Sequence, residues 1–321
     1  MAKPVKYQAG LSMIELMISM VIGLVIIGAV LQAFLSSNQT YRMQQAHARL
    51  QEDGRAALHF LTRDIRMADF WGCIPDDSMI TSQLDTTSAE YDAAAHDFTT
   101  TNSITGTDGA SDTLTLKSAA DNGIGIQPPA MPNTAAALHV TANSGLQQYQ
   151  IVLVSDCVSG DIFEITKDPT TGVGLNDQAV HNGGSVAQGP GNISASLSKP
   201  YGTDAKIFGL RSRTFSVADV DGEPTLLRDG QELVQNVENM QFLYGVDTDN
   251  DFSANYYVPA SNVTDMDDVV SIRVSLLVRS TEDNLTTVAQ TYNFNGATVT
   301  AADNRIRQVF TSTITVRNRV E

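Results

Sequence analysis

Asp247, Asp249 and Asp251 stand at alternate positions in the stretch YGVDTDNDFSANYY. Hard oxygen donors at i, i+2 and i+4 are how compact calcium loops begin, so Ca2+ is the ion this spacing points to. An EF-hand starting at Asp247 would want Gly at 252 and a bidentate Glu at 258. Phe252 and Val258 stand there instead, so the segment is not an EF-hand. It is either a calcium site of another kind or an acidic turn. The two cysteines, Cys73 and Cys157, form no CxxC pair. The five histidines (47, 59, 96, 139, 181) are scattered, with no HExxH and no zinc spacing beside the cysteines. A Walker A loop, a GxSxG elbow and a GxGxxG behind a strand are also missing. Nothing in these residues supports an enzyme.

A fourth candidate is an acid in an apolar setting. Glu15 opens a run in which no charged residue occurs from Leu16 to Tyr41, and Leu16 to Leu35 is nearly all apolar. Twenty helical residues rise about 30 Å, the thickness of a bilayer core. Lys3 and Lys6 precede the run, which predicts a cytoplasmic N-terminus and an extracytoplasmic remainder. Three readings of this terminus compete. A secretory signal peptide would need a shorter apolar core and a small-x-small cleavage site, and LQAFLSSNQ offers no clean one. In a plain signal anchor, Ser12 to Glu15 is an S-x-x-E capping box and Glu15 only a helix cap. The third reading rests on a resemblance.

The elements that must position these residues follow from periodicity. Ala46, Leu50, Ala57, Leu58, Leu61, Ile65 and Ala68 recur at helical spacing, with Arg55, His59, Arg63 and Arg66 mostly off that stripe. One long helix is expected over roughly 12–69, stopped by Gly72 and Pro75. Strand character marks 113–117, 149–155, 161–166, 206–217, 236–246, 269–279 and 306–317. In the sixth of these, Val270, Ile272, Val274 and Leu276 alternate with Ser271, Arg273 and Ser275. A helix followed by strands predicts α+β with an antiparallel sheet. Residues 80–112 and 181–200 read as loops. The 321 residues carry a formal net charge of −16, with 15 acids against three bases (Lys117, Lys167, Lys199) between 71 and 205. That balance argues against a nucleic-acid partner.

The stretch Ala9-Gly10-Leu11-Ser12-Met13-Ile14-Glu15 resembles the prepilin cleavage signal of type IV pilins and of type II secretion pseudopilins. The resemblance implies cleavage after Gly10 by a prepilin peptidase and N-methylation of Leu11, which stands where the family usually has Phe. Glu15 matches the family's glutamate, which pairs with an N-terminal amine during filament assembly. Residues 31–73, with Leu50, Gln51, Glu52, Gly54, Arg55, Leu61, Arg63, Asp64, Ile65, Arg66, Trp71, Gly72 and Cys73, are similar to PilW-type minor pilins. So are 269–280 and 309–320, whereas about 76–205 carries no recognisable motif. The implied organisation is a leader (1–10), a transmembrane or filament-core helix segment (11–35), the amphipathic half of the same helix (36–70) and a periplasmic β-rich globular domain (71–321). The implied fold is pilin-like α+β, the long helix packed on an antiparallel sheet with long loop insertions.

The implied partners are other minor pilins, the major pilin, the prepilin peptidase, an inner-membrane assembly platform and a tip adhesin. The implied location is the inner membrane and then the pilus. A J-type pseudopilin and a membrane-anchored adhesin that never polymerises are the rival readings. In a periplasmic domain Cys73 and Cys157 can form a disulfide, the alternative being two separate buried thiols.

Overall fold

The computed structural model describes residues 12–74, 77–98, 103–120, 123–171 and 177–320. Helix α1 runs Met13–Arg66, 54 residues without a proline. Ser12 sits extended at its start, and Arg63 and Arg66 fall in its last turn, where cations suit the carbonyl end. The chain then leaves the helix through Asp69 and Gly72, both at positive φ.

Strands follow as β1 (Ile80–Ser82), β2 (Ile104–Thr107), β3 (Thr113–Ala119), β4 (Ile124–Gly125), β5 (Leu138–Val140), β6 (Ile151–Ser155), β7 (Gly160–Glu164) and β8 (Asp177–Ala179). The second half contributes β9 (Lys206–Val220), β10 (Glu223–Arg228), β11 (Gln231–Gln235), β12 (Val237–Val246), β13 (Tyr256–Val258), β14 (Val269–Arg279), β15 (Thr291–Phe294), β16 (Ala297–Thr300) and β17 (Arg307–Thr315). They build a nine-stranded sheet with the path β1-β7-β6-β9-β10-β11 and a four-stranded sheet β13-β12-β14-β17. Strand β9 belongs to both ends of the larger sheet. Its start pairs with β6 and its end with β10.

The α+β arrangement expected from the sequence is present, with differences. There are two principal sheets, and the larger is mixed because β1 lies parallel to β7. The 80–112 stretch contains β1, β2 and a short helix α2 (Ala93–His96). Its polar composition hid them, because their pairing comes from partners far along the chain. The β10–β11 hairpin was hidden too, and α1 ends at Arg66 rather than near residue 69.

The lower half of α1 lies on the smaller sheet. Leu50, Ala57, Leu61 and Ile65 meet Phe242, Tyr244, Val274, Leu276 and Ile314 in one core. Register explains how the sheet presents this face: Tyr244, Ile272 and Ile314 form one buried rung across β12, β14 and β17. The sequence alternation in β14 is visible in its burial, with Arg273 and Ser275 only partly covered. Gly54 supplies the missing beat of the stripe. A Cβ there would meet the Phe310 ring at 2.3 Å, so the glycine makes room for β17. A second core joins Val152, Val154, Phe163, Ile165, Tyr201 and Ile207. The opposite face of the same strands packs Leu153, Ile162 and Phe208 on Trp71, Leu84 and Phe98.

Candidate functional site

The chemistry of the N-terminus starts at Glu15. It occupies the first turn of α1, and its Oε2 accepts the Ser12 backbone N–H at 3.0 Å. The reach-back half of a capping box is therefore formed. Both residues are solvent-exposed. The matching cleavage residues, Gly10 and Leu11, lie outside the described residues.

Between Glu15 and Arg42 the helix has no other described residue packed around it. An 18-residue window reaches a mean hydropathy of 2.6 and none of it is buried. Leu24 is 70% exposed and Phe34 is 64% exposed. This is, among the described residues, the one helix long and apolar enough to cross a membrane. The first ties to the globular part come at Arg42, whose guanidinium donates to Glu282 at 2.9 Å and 3.0 Å, and at Ala46, where burial starts. From there to Arg66 a residue is buried at nearly every turn.

Four sets of contacts fix the lower half. Asp64, nearly buried within the apolar stripe, pairs with Arg213 of β9 and Arg228 of β10. Asp69 accepts from Trp71 Nε1 at 2.8 Å and from Arg319 Nε at 2.7 Å. Asn318 donates to the Ala68 carbonyl at 2.8 Å, so the last residues of the chain clamp the end of the helix. Cys73 and Cys157 are joined by a disulfide with a Cα–Cα distance of 4.8 Å and a sequence separation of 84. It ties the segment after α1 to the turn between β6 and β7.

Sequence reasoning named Asp64 without its burial and missed Asp161 and Glu164. Asp64 carried a readable signal, an acid three residues after Leu61 inside the stripe. Asp161 and Glu164 in β7 carried none. Asp161 accepts from Ser198 Oγ at 2.5 Å, Tyr201 Oη at 2.6 Å and Gln83 Nε2 at 3.0 Å. It thereby gathers both segments read as loops. Glu164 is fully buried and accepts the Gly191 N–H at 2.7 Å, while its Oε1 has no hydrogen-bond partner among the described residues. Burial pushes its carboxyl up to about 7, against the pull of the Gly191 amide.

Asp247, Asp249 and Asp251 do converge, with ligand oxygens within 4.8 Å of one another. Asp247 is the nearly buried one, and its carboxylate accepts from the amides of Asp249, Asn250 and Phe252. Burial would raise its pKa, but these amides outweigh it and the net direction is down. Asp249 and Asp251 are exposed. Calcium takes six to eight oxygens, so carbonyls and water would have to supply the balance.

Comparison with known families places this geometry. The prokaryotic N-terminal methylation motif matches residues 5–31, the span that holds Glu15 and the uncovered part of α1. The family described as Type IV Pilus-assembly protein W matches residues 208–318, from β9 to the clamp at the chain's end. These two matches support a PilW-type minor pilin. The PilW match covers the sheet on which the lower helix lies and leaves out β1 to β8. It also leaves out residues 31–73, whose sequence is similar to PilW-type minor pilins. No curated protein and no solved structure matches the chain. With the uncovered apolar helix, the matches support a type IV pilus-related minor pilin that is anchored in a membrane and acts beside other pilus components.

Proposed function

We propose that the protein is a filament subunit that acts in pilus priming and sits at the tip. A prepilin peptidase cuts after Gly10 on the cytoplasmic side and methylates Leu11. The globular part lies in the periplasm before assembly and outside the cell after it. The subunit meets the inner-membrane assembly platform, other minor pilins, the major pilin and a tip adhesin. Its work is structural.

One observation carries this reading: an apolar helix with no cover from the described residues and a single acid at its start. Lipid covers such a surface before assembly, and neighbouring helices cover it afterwards. A carboxylate costs about 2.5–3.5 kcal/mol at the bilayer centre and wants a partner. Cleavage after Gly10 creates an amine about one helical turn, or 6 Å, from Glu15. Within one subunit the helix dipole already favours the acid there. Between subunits, Glu15 pairing with a neighbour's amine sets the register of docking.

N-terminal mass analysis of the mature protein tests the first step. A methylated Leu11 start is expected, and an intact Met1 or a cut near residue 35 refutes it. Glu15→Ala tests the second: processing should persist while assembly is lost. A simple anchor would be indifferent to that change.

A calcium ion at Asp247, Asp249 and Asp251 is a separate proposal, supported by their convergence. A partial donor set of this kind suits the weak affinities of extracellular modules, on the order of 10⁻⁴–10⁻³ M. Calorimetric titration should show heat that Asp249→Ala removes. No heat with the unaltered protein retires the idea.

A further inference from the structure

Strand β17 is an edge of the smaller sheet, and its direction of pairing can be read from both ends. Val316 N–H donates to the Val270 carbonyl, and Ser280 N–H donates to the Ile306 carbonyl. With the register Ile272↔Ile314 and Leu276↔Phe310 between them, the even-numbered residues of β17 bond inward to β14. The N–H and C=O groups of Arg307, Val309, Thr311, Thr313 and Thr315 therefore point to the open side.

At one end that side is closed by a side chain. Gln290 accepts the Arg307 N–H at 2.6 Å and donates to the Arg307 carbonyl at 2.9 Å, imitating a neighbouring strand. Among the described residues nothing pairs the outward groups of Val309, Thr311, Thr313 and Thr315. The strand has nine residues, whereas the edges β1 and β13 have three each. Val309–Thr315 contains no charge and no proline, and its three outward threonines are exposed. Proteins ordinarily blunt such edges, because an unpaired row of amides and carbonyls is a template for another strand.

The open end of this edge runs into a groove of about 590 Å³ between β17 and the last turns of α1. His59, Arg63, Arg66, Thr315 and Arg317 line it, and no acid does among the described residues. In a chain of net charge −16 this is a locally basic surface.

We propose that β17 receives an extended strand from a different pilus subunit, which carries an acidic side chain into the groove at Arg63 and Arg66. The backbone edge demands a strand, and the groove demands a negative charge where that strand passes Thr315. A second copy of β17 is the wrong occupant. Arg307–Thr315 carries no acidic side chain, so self-pairing would bring nothing to the groove's Arg63 and Arg66. This proposal rests on the filament-subunit reading above and names a surface through which assembly occurs.

The test uses the full-length chain in pilus-forming cells. A photo-crosslinking residue at position 313 should capture an extended, Asp- or Glu-bearing segment of another pilus subunit. Thr313→Pro removes one outward N–H and keeps every inward bond to β14. It should cut surface filaments about tenfold, with thermal midpoint and leader processing unchanged. Thr313→Val should leave filaments at the unaltered level. Arg63→Glu combined with Arg66→Glu should reproduce the loss. If Thr313→Pro lowers the thermal midpoint, Thr311→Lys, which only adds charge to the exposed edge, replaces it. Normal filament numbers in the folded edge and groove variants overturn the proposal. So does crosslinking only to lipid or to a second copy. Glu15→Ala separates the two levels. If it abolishes filaments while the edge variants do not, strand docking falls and the filament-subunit reading stands. If it too leaves filaments intact, that reading falls.

Discussion

The two halves of α1 share one continuous helix and differ in what covers them. From Ala46 to Arg66 the apolar stripe finds Phe242, Val274, Leu276 and Ile314 within the same chain. From Met13 to about residue 41 the apolar surface is exposed on every side. Each half also carries a significant acid. Asp64 has Arg213 and Arg228 beside it, and Glu15 has the amide of Ser12. The lower half is thus complete in the single subunit, and the upper half is left without cover from the described residues. Substitutions below should therefore act on stability, and substitutions above should act on assembly.

The largest expected effect is at the disulfide beneath the helix. Replacing Cys73 and Cys157 by serine opens a loop whose ends are 84 residues apart. The chain-entropy relation gives a loss of about 4–5 kcal/mol, read by urea unfolding in detergent. An equal loss from a change in the upper half would break the comparison.

A matched pair of leucines comes next. Leu61 is fully buried, and Leu61→Ala should cost about 3 kcal/mol through lost burial and the cavity left behind. Leu24 is 70% exposed, and Leu24→Ala should move unfolding by less than about 0.5 kcal/mol. Similar losses for both would mean that the upper helix folds back on the domain.

Glu164 adds a pH dependence confined to the globular part. Its carboxyl lies at about 7 against an ordinary 4.5, because burial disfavours the charge. The folded protein thus holds a proton that the unfolded chain releases. Its contribution is full below about pH 4.5 and is lost as pH rises through about 7, roughly 3 kcal/mol in all. Thermal midpoints should fall between pH 5 and pH 8, and Glu164→Gln should flatten that slope. A slope that persists in Glu164→Gln assigns it to another group.

The last effect sharpens the contrast between the acids. Asp64→Asn should cost roughly 2 kcal/mol, less than a fully buried pair because Arg213 and Arg228 keep side-chain exposures of 25% and 30%. Glu15→Ala should leave the unfolding midpoint unchanged and abolish assembly. Reversed phenotypes would overturn the division of labour along α1.

Much of the helix was legible beforehand because its signals are local. A charge-free apolar run, an acid at its start and a stripe at helical spacing all lie within one element. The strand cores of β3, β6, β7, β9, β12, β14 and β17 were legible for the same reason, since alternation and β-branched residues mark them. β1, β2 and the β10–β11 hairpin were not, because their Thr, Gly and Glu residues become strands only when a partner supplies the pairing.

By itself the sequence determined that an apolar helix with Glu15 at its head would stand at the front of a β-rich domain. Hydropathy and helical period act residue by residue along the chain. The tertiary structure alone decided the rest. It brought Cys73 to Cys157, Asp64 to Arg213 and Arg228, and Arg319 to Asp69, and it left the outer edge of β17 open beside a basic groove. Each of these depends on which distant segments share a surface. Chain topology and sheet register set that, and neither is written in the spacing of neighbouring residues.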